Sequence, residues 1–203
     1  MSTTFTRTDG ITSDPKDWWR RVCWVNSRLA VSGDLPEDSA DALEHLSYWE
    51  AEGITDVLDL REEADDSDFI EALSDIRPHR FGIDDDGSAR PDEWFDAITK
   101  CAAKVLSHPN RRILVHCFMG VSRSPSALFA IMLTQGWGAV QALDAIRTAR
   151  PIAGILYARD AVNWWSRSSG HTRLETLRHE REVSTWLDEN RIDIGEIIRR
   201  IRQ

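Results

Sequence analysis

No stretch of this chain is long and apolar enough to cross a bilayer as a helix. Its apolar runs are short and interrupted, whereas a helical span needs about 20 consecutive apolar residues. The opening Met-Ser-Thr-Thr-Phe-Thr-Arg-Thr-Asp-Gly has no apolar core of the secretory kind. Cysteine is scarce, and Cys23, Cys101 and Cys117 are odd in number and widely spaced. Such a set makes neither a disulfide framework nor a zinc site, and it suits a reducing, cytoplasmic compartment. Basic charge is in deficit, with 25 Lys and Arg against 34 Asp and Glu and a net charge of −9. A nucleic-acid binder would carry a basic footprint, so none is expected, although a local basic pocket remains open. Internal repeats and low-complexity tracts are also missing. No membrane partner, cofactor or metal is expected.

What is present suffices for a core. The apolar fraction is 41%, close to that of globular domains. Residues 22–25 and 29–31 are apolar runs broken by Asn26-Ser27, as in a hairpin. Between residues 39 and 52, Leu43, Leu46, Tyr48 and Trp49 share a helical face, and Gly53 is a stop signal. Residues 54–60 read as a strand, 61–75 as an acidic loop or short helix, and 79–83 as a strand. The run Asp84-Asp85-Asp86-Gly87-Ser88 is a loop. Trp94, Ile98, Cys101 and Val105 mark one face of a helix over 91–106. A strand at 112–116, helices at 124–135 and 139–149, and a helix carrying Tyr157, Val162, Trp164 and Trp165 complete the alternation. This pattern predicts an α/β fold with a central mixed, mostly parallel sheet flanked by helices.

Domain organisation follows from composition. Residues 1–17 read as a flexible polar lead and 18–167 as one catalytic domain. Residues 168–203 read as a helical C-terminal extension outside the catalytic unit, reached through a polar linker at 166–170. In the extension, Ile194, Ile197, Ile198 and Ile201 form an apolar stripe at helical spacing. That stripe would dock on the domain, on a second copy or on a partner protein.

The chemistry concentrates in His116-Cys117-Phe118-Met119-Gly120-Val121-Ser122-Arg123-Ser124. A buried strand delivers Cys117 to a loop that enters a helix at Arg123. The N–H groups of Phe118, Met119, Gly120, Val121, Ser122 and Arg123 can form a nest for phosphate oxygens at the positive end of that helix. Gly120 relieves the sharp bend, and Pro125 suits the first helical turn. Arg123 offers a planar fork matched to two phosphate oxygens. The same surroundings favour a Cys117 thiolate. Ser124 is placed to donate to the sulfur, and His116 to face away and order the loop by hydrogen bonding.

This Cys-(five residues)-Arg-Ser run resembles the active-site loop of the protein tyrosine phosphatase superfamily, and Gly120-Val121-Ser122-Arg123-Ser124 resembles the dual-specificity phosphatases. Arg28-Leu29-Ala30-Val31-Ser32-Gly33, Gly53-Ile54-Thr55-Asp56-Val57-Leu58-Asp59-Leu60-Arg61 and Arg150-Pro151 are similar to family segments at matching places, so the resemblance covers residues 19–165. It implies a dual-specificity phosphatase-like fold and attack by Cys117 on phosphorus. A phosphocysteine intermediate would form and then be hydrolysed by water, with an aspartate on another loop as proton donor. Counting back from Phe95 or forward from Phe81 in the family pattern gives Asp85 as that acid. Asp86 is the alternative and Asp84 the third choice. A phosphorylated protein would be the substrate, on tyrosine and also on serine or threonine. The loop has no lysine, unlike lipid phosphatases of this superfamily. The usual Pro-Asn segment after Arg150-Pro151 is missing, and residues 152–160 stand there instead. Two rival readings remain: a phospho-binding module on the same fold, and a rhodanese-like sulfurtransferase. Turnover of an aryl phosphate separates the first, and a thiosulfate assay the second.

Overall fold

The computed structural model describes residues 15–203; most of the expected lead, 1–17, lies outside the described residues. A 3-10 helix, Pro15–Arg20, precedes β1 (Cys23–Trp24) and β2 (Leu29–Ser32). Then come α1 (Ser39–Ala51), β3 (Asp56–Arg61), α2 (Ser67–Leu73), β4 (Arg77–Ile83) and α3 (Asp92–Leu106). The chain continues through β5 (Ile113–His116), α4 (Arg123–Thr134), α5 (Ala139–Ala149), α6 (Ala158–Ser168), α7 (Arg173–Glu189) and α8 (Ile194–Ile201). The sheet order is β1-β2-β5-β3-β4. β1 is antiparallel to β2, and every other pairing is parallel. Pro78 is accommodated because β4 is an edge strand.

Alternation along the strands builds two cores, because successive side chains point to opposite faces. Leu29, Val31, Leu58, Leu60, Ile113 and Val115 enter the core shared with α3, α4, α5, α6 and α7. Ala30, Val57 and Leu114 enter the smaller one with Leu46 and Trp49 of α1 and Ile70 of α2. The same alternation sends His116 with Leu114 toward α1 and Cys117 with Val115 toward α4. α4 is buried along nearly its whole length, as expected of a helix apolar on all sides.

The C-terminal region is more closely integrated than its composition suggests. The expected linker at 166–170 is the end of α6, with Ser166 buried, and a tight turn in which Gly170 takes φ +67°. Trp165 meets the rings of His171 and His179 at centroid distances of 4.5 and 4.9 Å, which draws α7 back along α6. Val183 and Trp186 of α7 join the larger core. Ile197 is buried, and Ile194 Cδ1 would lie 2.9 Å from a Cβ added at Gly154. Arg200 lies over the Trp18 ring at 5.4 Å. The isoleucine stripe is therefore turned to the chain's own body.

Candidate active site

The loop between β5 and α4 is organised by what its carbonyls do. Phe118 O accepts from Asp34 N at 3.0 Å. Met119 O and Gly120 O accept from the Arg150 guanidinium at 2.9 and 2.6 Å. Val121 O accepts from Gly154 N at 2.7 Å, and Ser122 O from the Ser126 hydroxyl at 2.8 Å. All five carbonyls are thus turned away from the concave side. None of the described hydrogen bonds uses a loop N–H from Phe118 to Ser122 as donor. Inward N–H groups at the start of a helix make an anion-binding concavity. Gly120 is required here: φ is +64°, and a Cβ would come within 2.4 Å of Arg150 Nη2 and of Ser32 O.

Cys117 is 2% exposed, and its Sγ lies 3.3 Å from Ser124 Oγ. Arg123 is also buried. Its Nη1 and Nη2 meet both oxygens of Glu63, and Nη1 also donates to Leu60 O and Ile83 O. That grip fixes the plane of the guanidinium and leaves Nε without a hydrogen-bond acceptor. The Arg123 contact holds the Glu63 carboxyl below the ordinary range. His116 is fully buried beside Trp49, with ring centroids 5.5 Å apart. Burial pushes its pKa down to about 4, so the ring is neutral. Asp59 Oδ1 stands 3.7 Å from its Nε2. Strand alternation turns the ring away from the pocket, as expected of His116, and packs it on the α1 side.

The three aspartates are sorted by their partners. Asp85 Oδ1 accepts from the hydroxyls of Ser122 at 2.8 Å and Tyr157 at 2.7 Å, and Oδ2 lies 3.5 Å from Arg123 Nε. Asp86 pairs with Arg90 inside its own loop. Hydrogen bonds from the Ser88 backbone, the Ser88 hydroxyl and Arg90 hold its pKa down at about 2. Asp84 supplies only its carbonyl to Arg90 among the described hydrogen bonds. Of the three, Asp85 is the carboxylate brought to the cysteine loop.

Three contributors had no local signal in the sequence: Arg150 beneath the loop, Glu63 on the arginine and Tyr157 on the aspartate. Residues 152–157, where the Pro-Asn pattern is missing, form the wall that binds Val121 O through Gly154 and Ile155. Ile155 has φ +51°, a conformation that costs a β-branched residue about 1–3 kcal/mol. A cleft of about 280 Å³ bordered by Asp34, Glu37, Glu63 and Phe118 adjoins the loop. A larger one of about 870 Å³, near Arg28, Thr99 and Lys100, opens at the opposite end of the strands. Ligands of open α/β sheets bind at the carboxyl ends of strands, which selects the smaller cleft.

A thiol set inside an oriented anion cradle, with a carboxyl group facing it, defines the class of cysteine-dependent phosphatases. The model of the dual specificity phosphatase catalytic domain matches residues 39–156, more than half of the chain, and the chain belongs to that family. Protein phosphatase Slingshot homolog 3 of Rattus norvegicus is 52% identical over 42 residues, which is 20% of this chain and 6% of that protein. The match thus spans a small fraction of that relative's length. Among solved structures, Tk-PTP in its active form superposes with a TM-score of 0.60 at 20% identity, covering 73% of this chain and 98% of that one. A mouse protein described as a dual specificity phosphatase, complexed with zinc tungstate, gives 0.62 at 16%, covering 82% and 99%. Human DUSP28 gives 0.59 at 15%, covering 73% and 95%. At these identities the structures establish the fold, and family membership leaves no place for the sulfurtransferase reading.

Proposed function

We propose that the protein hydrolyses phosphotyrosine in phosphorylated proteins, and phosphoserine or phosphothreonine as well, through a phosphocysteine intermediate on Cys117. The observation that carries this reading is the outward turn of five consecutive carbonyls, which leaves the facing N–H groups and Arg123 Nε for phosphate oxygens. In the first step Cys117 Sγ bonds to phosphorus, and the bond from phosphorus to the leaving oxygen breaks. Asp85 gives its proton to that oxygen. In the second step water attacks phosphorus, its proton passes to Asp85, and the S–P bond breaks. Ser124, 3.3 Å from the sulfur, stabilises the departing thiolate. Positioned proton transfer of this kind contributes about 10²–10⁴-fold.

The three cysteines are unpaired, which fits a reducing, cytoplasmic setting, and among the described residues no helix is long and apolar enough to cross a membrane. The catalytic unit is read as 18–167, with 168–203 as a docked helical extension. Turnover of an aryl phosphate and a phosphopeptide panel by the intact chain tests the reading. The expected result is hydrolysis inhibited by vanadate and abolished in Cys117→Ser. Undiminished turnover in Cys117→Ser, or none in the wild type, overturns it.

A further inference from the structure

The segment that replaces the Pro-Asn pattern does more than close the pocket wall. Tyr157 is almost fully buried, and its backbone N–H donates to Ser126 Oγ at 3.0 Å, which ties it to the first turn of α4. Its ring carries the Arg90 guanidinium at 4.4 Å. Arg90 in turn holds the Asp84 carbonyl, the Asp86 carboxylate and both Ser88 oxygens. The Tyr157 hydroxyl accepts from Gly87 N at 3.3 Å and donates to Asp85 Oδ1 at 2.7 Å. One side chain therefore links the aspartate loop to the helix that begins at Arg123.

We infer that Tyr157 is the positioning residue of the proton donor: with Ser122 it occupies Asp85 Oδ1, so that Oδ2 is the oxygen that gives and later takes the proton. Both donors converge on Oδ1, whereas Oδ2 stands 3.5 Å from Arg123 Nε, the nitrogen left for phosphate. The inference rests on the phosphatase reading, with Asp85 as the acid. The two hydrogen bonds also favour the carboxylate that remains once the proton has left, because donors to a charged form stabilise it. Ser122 is part of the cysteine loop itself. Tyr157 reaches the same oxygen from outside both loops, which allows it to be tested separately.

Tyr157→Phe removes one oxygen and keeps the ring beneath Arg90. Gly87 is exposed, so water replaces the lost acceptor and the variant folds like the wild type by thermal melt. With phenyl phosphate, whose leaving group needs a proton, kcat/KM falls about tenfold, the scale of one lost hydrogen bond. With dinitrophenyl phosphate, whose leaving group does not, kcat/KM stays near wild type, because it does not include hydrolysis of the intermediate. In an Asp85→Asn background, Tyr157→Phe has no additional effect. Equal loss of kcat/KM for both leaving groups, or full additivity with Asp85→Asn, overturns the assignment while leaving the phosphatase reading intact. An inactive wild type overturns both.

Discussion

Two loops meet at this site, and they are held in opposite ways. The cysteine loop is buried from Gly120 to Ser124, and its carbonyls are satisfied by groups from Asp34, Arg150, Gly154 and Ser126. The acid loop is exposed from Asp84 to Ala89 and is fastened by Arg90 and Tyr157. Burial leaves the first loop one conformation, because any other would strand several buried polar groups. The second can open locally at small cost, since solvent replaces most of what it would lose. On the proposed mechanism the phosphate cradle has to be rigid before substrate arrives, whereas the proton donor has only to reach the leaving oxygen.

The largest expected effect tests which aspartate belongs to the comparison at all. Asp85→Asn should lower kcat on phenyl phosphate by about 10²–10⁴-fold. Asp86→Asn should change it less than about threefold, because Asp86 answers to Arg90 and Ser88 and not to the cysteine loop. Steady-state rates for both variants decide the point. A larger loss in Asp86→Asn would exchange their roles.

Next in size is the clamp beneath the cysteine loop. Arg150 donates to the carbonyls of Trp19, Met119 and Gly120 while 2% exposed. Arg150→Met keeps the bulk and strands these acceptors, each worth about 1–3 kcal/mol, so unfolding should become easier by at least about 3 kcal/mol. Vanadate binding should weaken in parallel. Arg90→Met should leave vanadate affinity unchanged and lower kcat, since its side-chain hydrogen bonds are confined to the acid loop. Urea titrations with vanadate inhibition measure both. If Arg90→Met cost as much stability as Arg150→Met, the two loops would not differ as described.

The same contrast explains what could be read in the sequence. Cys117, Arg123 and Ser124 lie on one short run, so their spacing alone brings them together. The strands were legible because period-2 burial sorts Leu58 from Val57 and Val115 from Leu114. Arg150, Glu63 and Tyr157 act on partners 30, 60 and 72 residues away. No local pattern encodes such contacts, and topology alone creates them. In the sequence Arg150 is one half of an Arg-Pro dipeptide, and Glu63 is one acidic residue among several in its loop. The turn at 166–170 looks like a linker for a related reason: its polar composition hides the ring contacts of Trp165 with His171 and His179 that close it.

The smallest expected effect separates the strands that feed the two loops. β4 leads to the acid loop and is the sheet's edge, whereas β5 leads to the cysteine loop between two neighbours. On β4, His79 Nε2 lies 2.9 Å from Asp56 Oδ1 of β3. That hydrogen bond, aided by Cys101, raises the His79 pKa to about 9 from the ordinary 6.5. A folded pKa above the unfolded one means that the contribution is complete below pH 6.5 and is lost as pH rises through about 9. It amounts to roughly 2 kcal/mol once the partial exposure of the ring is allowed for. Arg111 still holds Asp56 at 2.7 Å after His79 loses its proton, so the carboxylate is not left unpaired. Raising the pH from 6.5 to 9.5 should therefore narrow the stability difference between wild type and His79→Gln. Hydrogen exchange, corrected for the intrinsic pH dependence of the amides, should become faster in β4 and stay slow in β5. Equal changes in both strands would show that the edge and the centre of the sheet open as one unit.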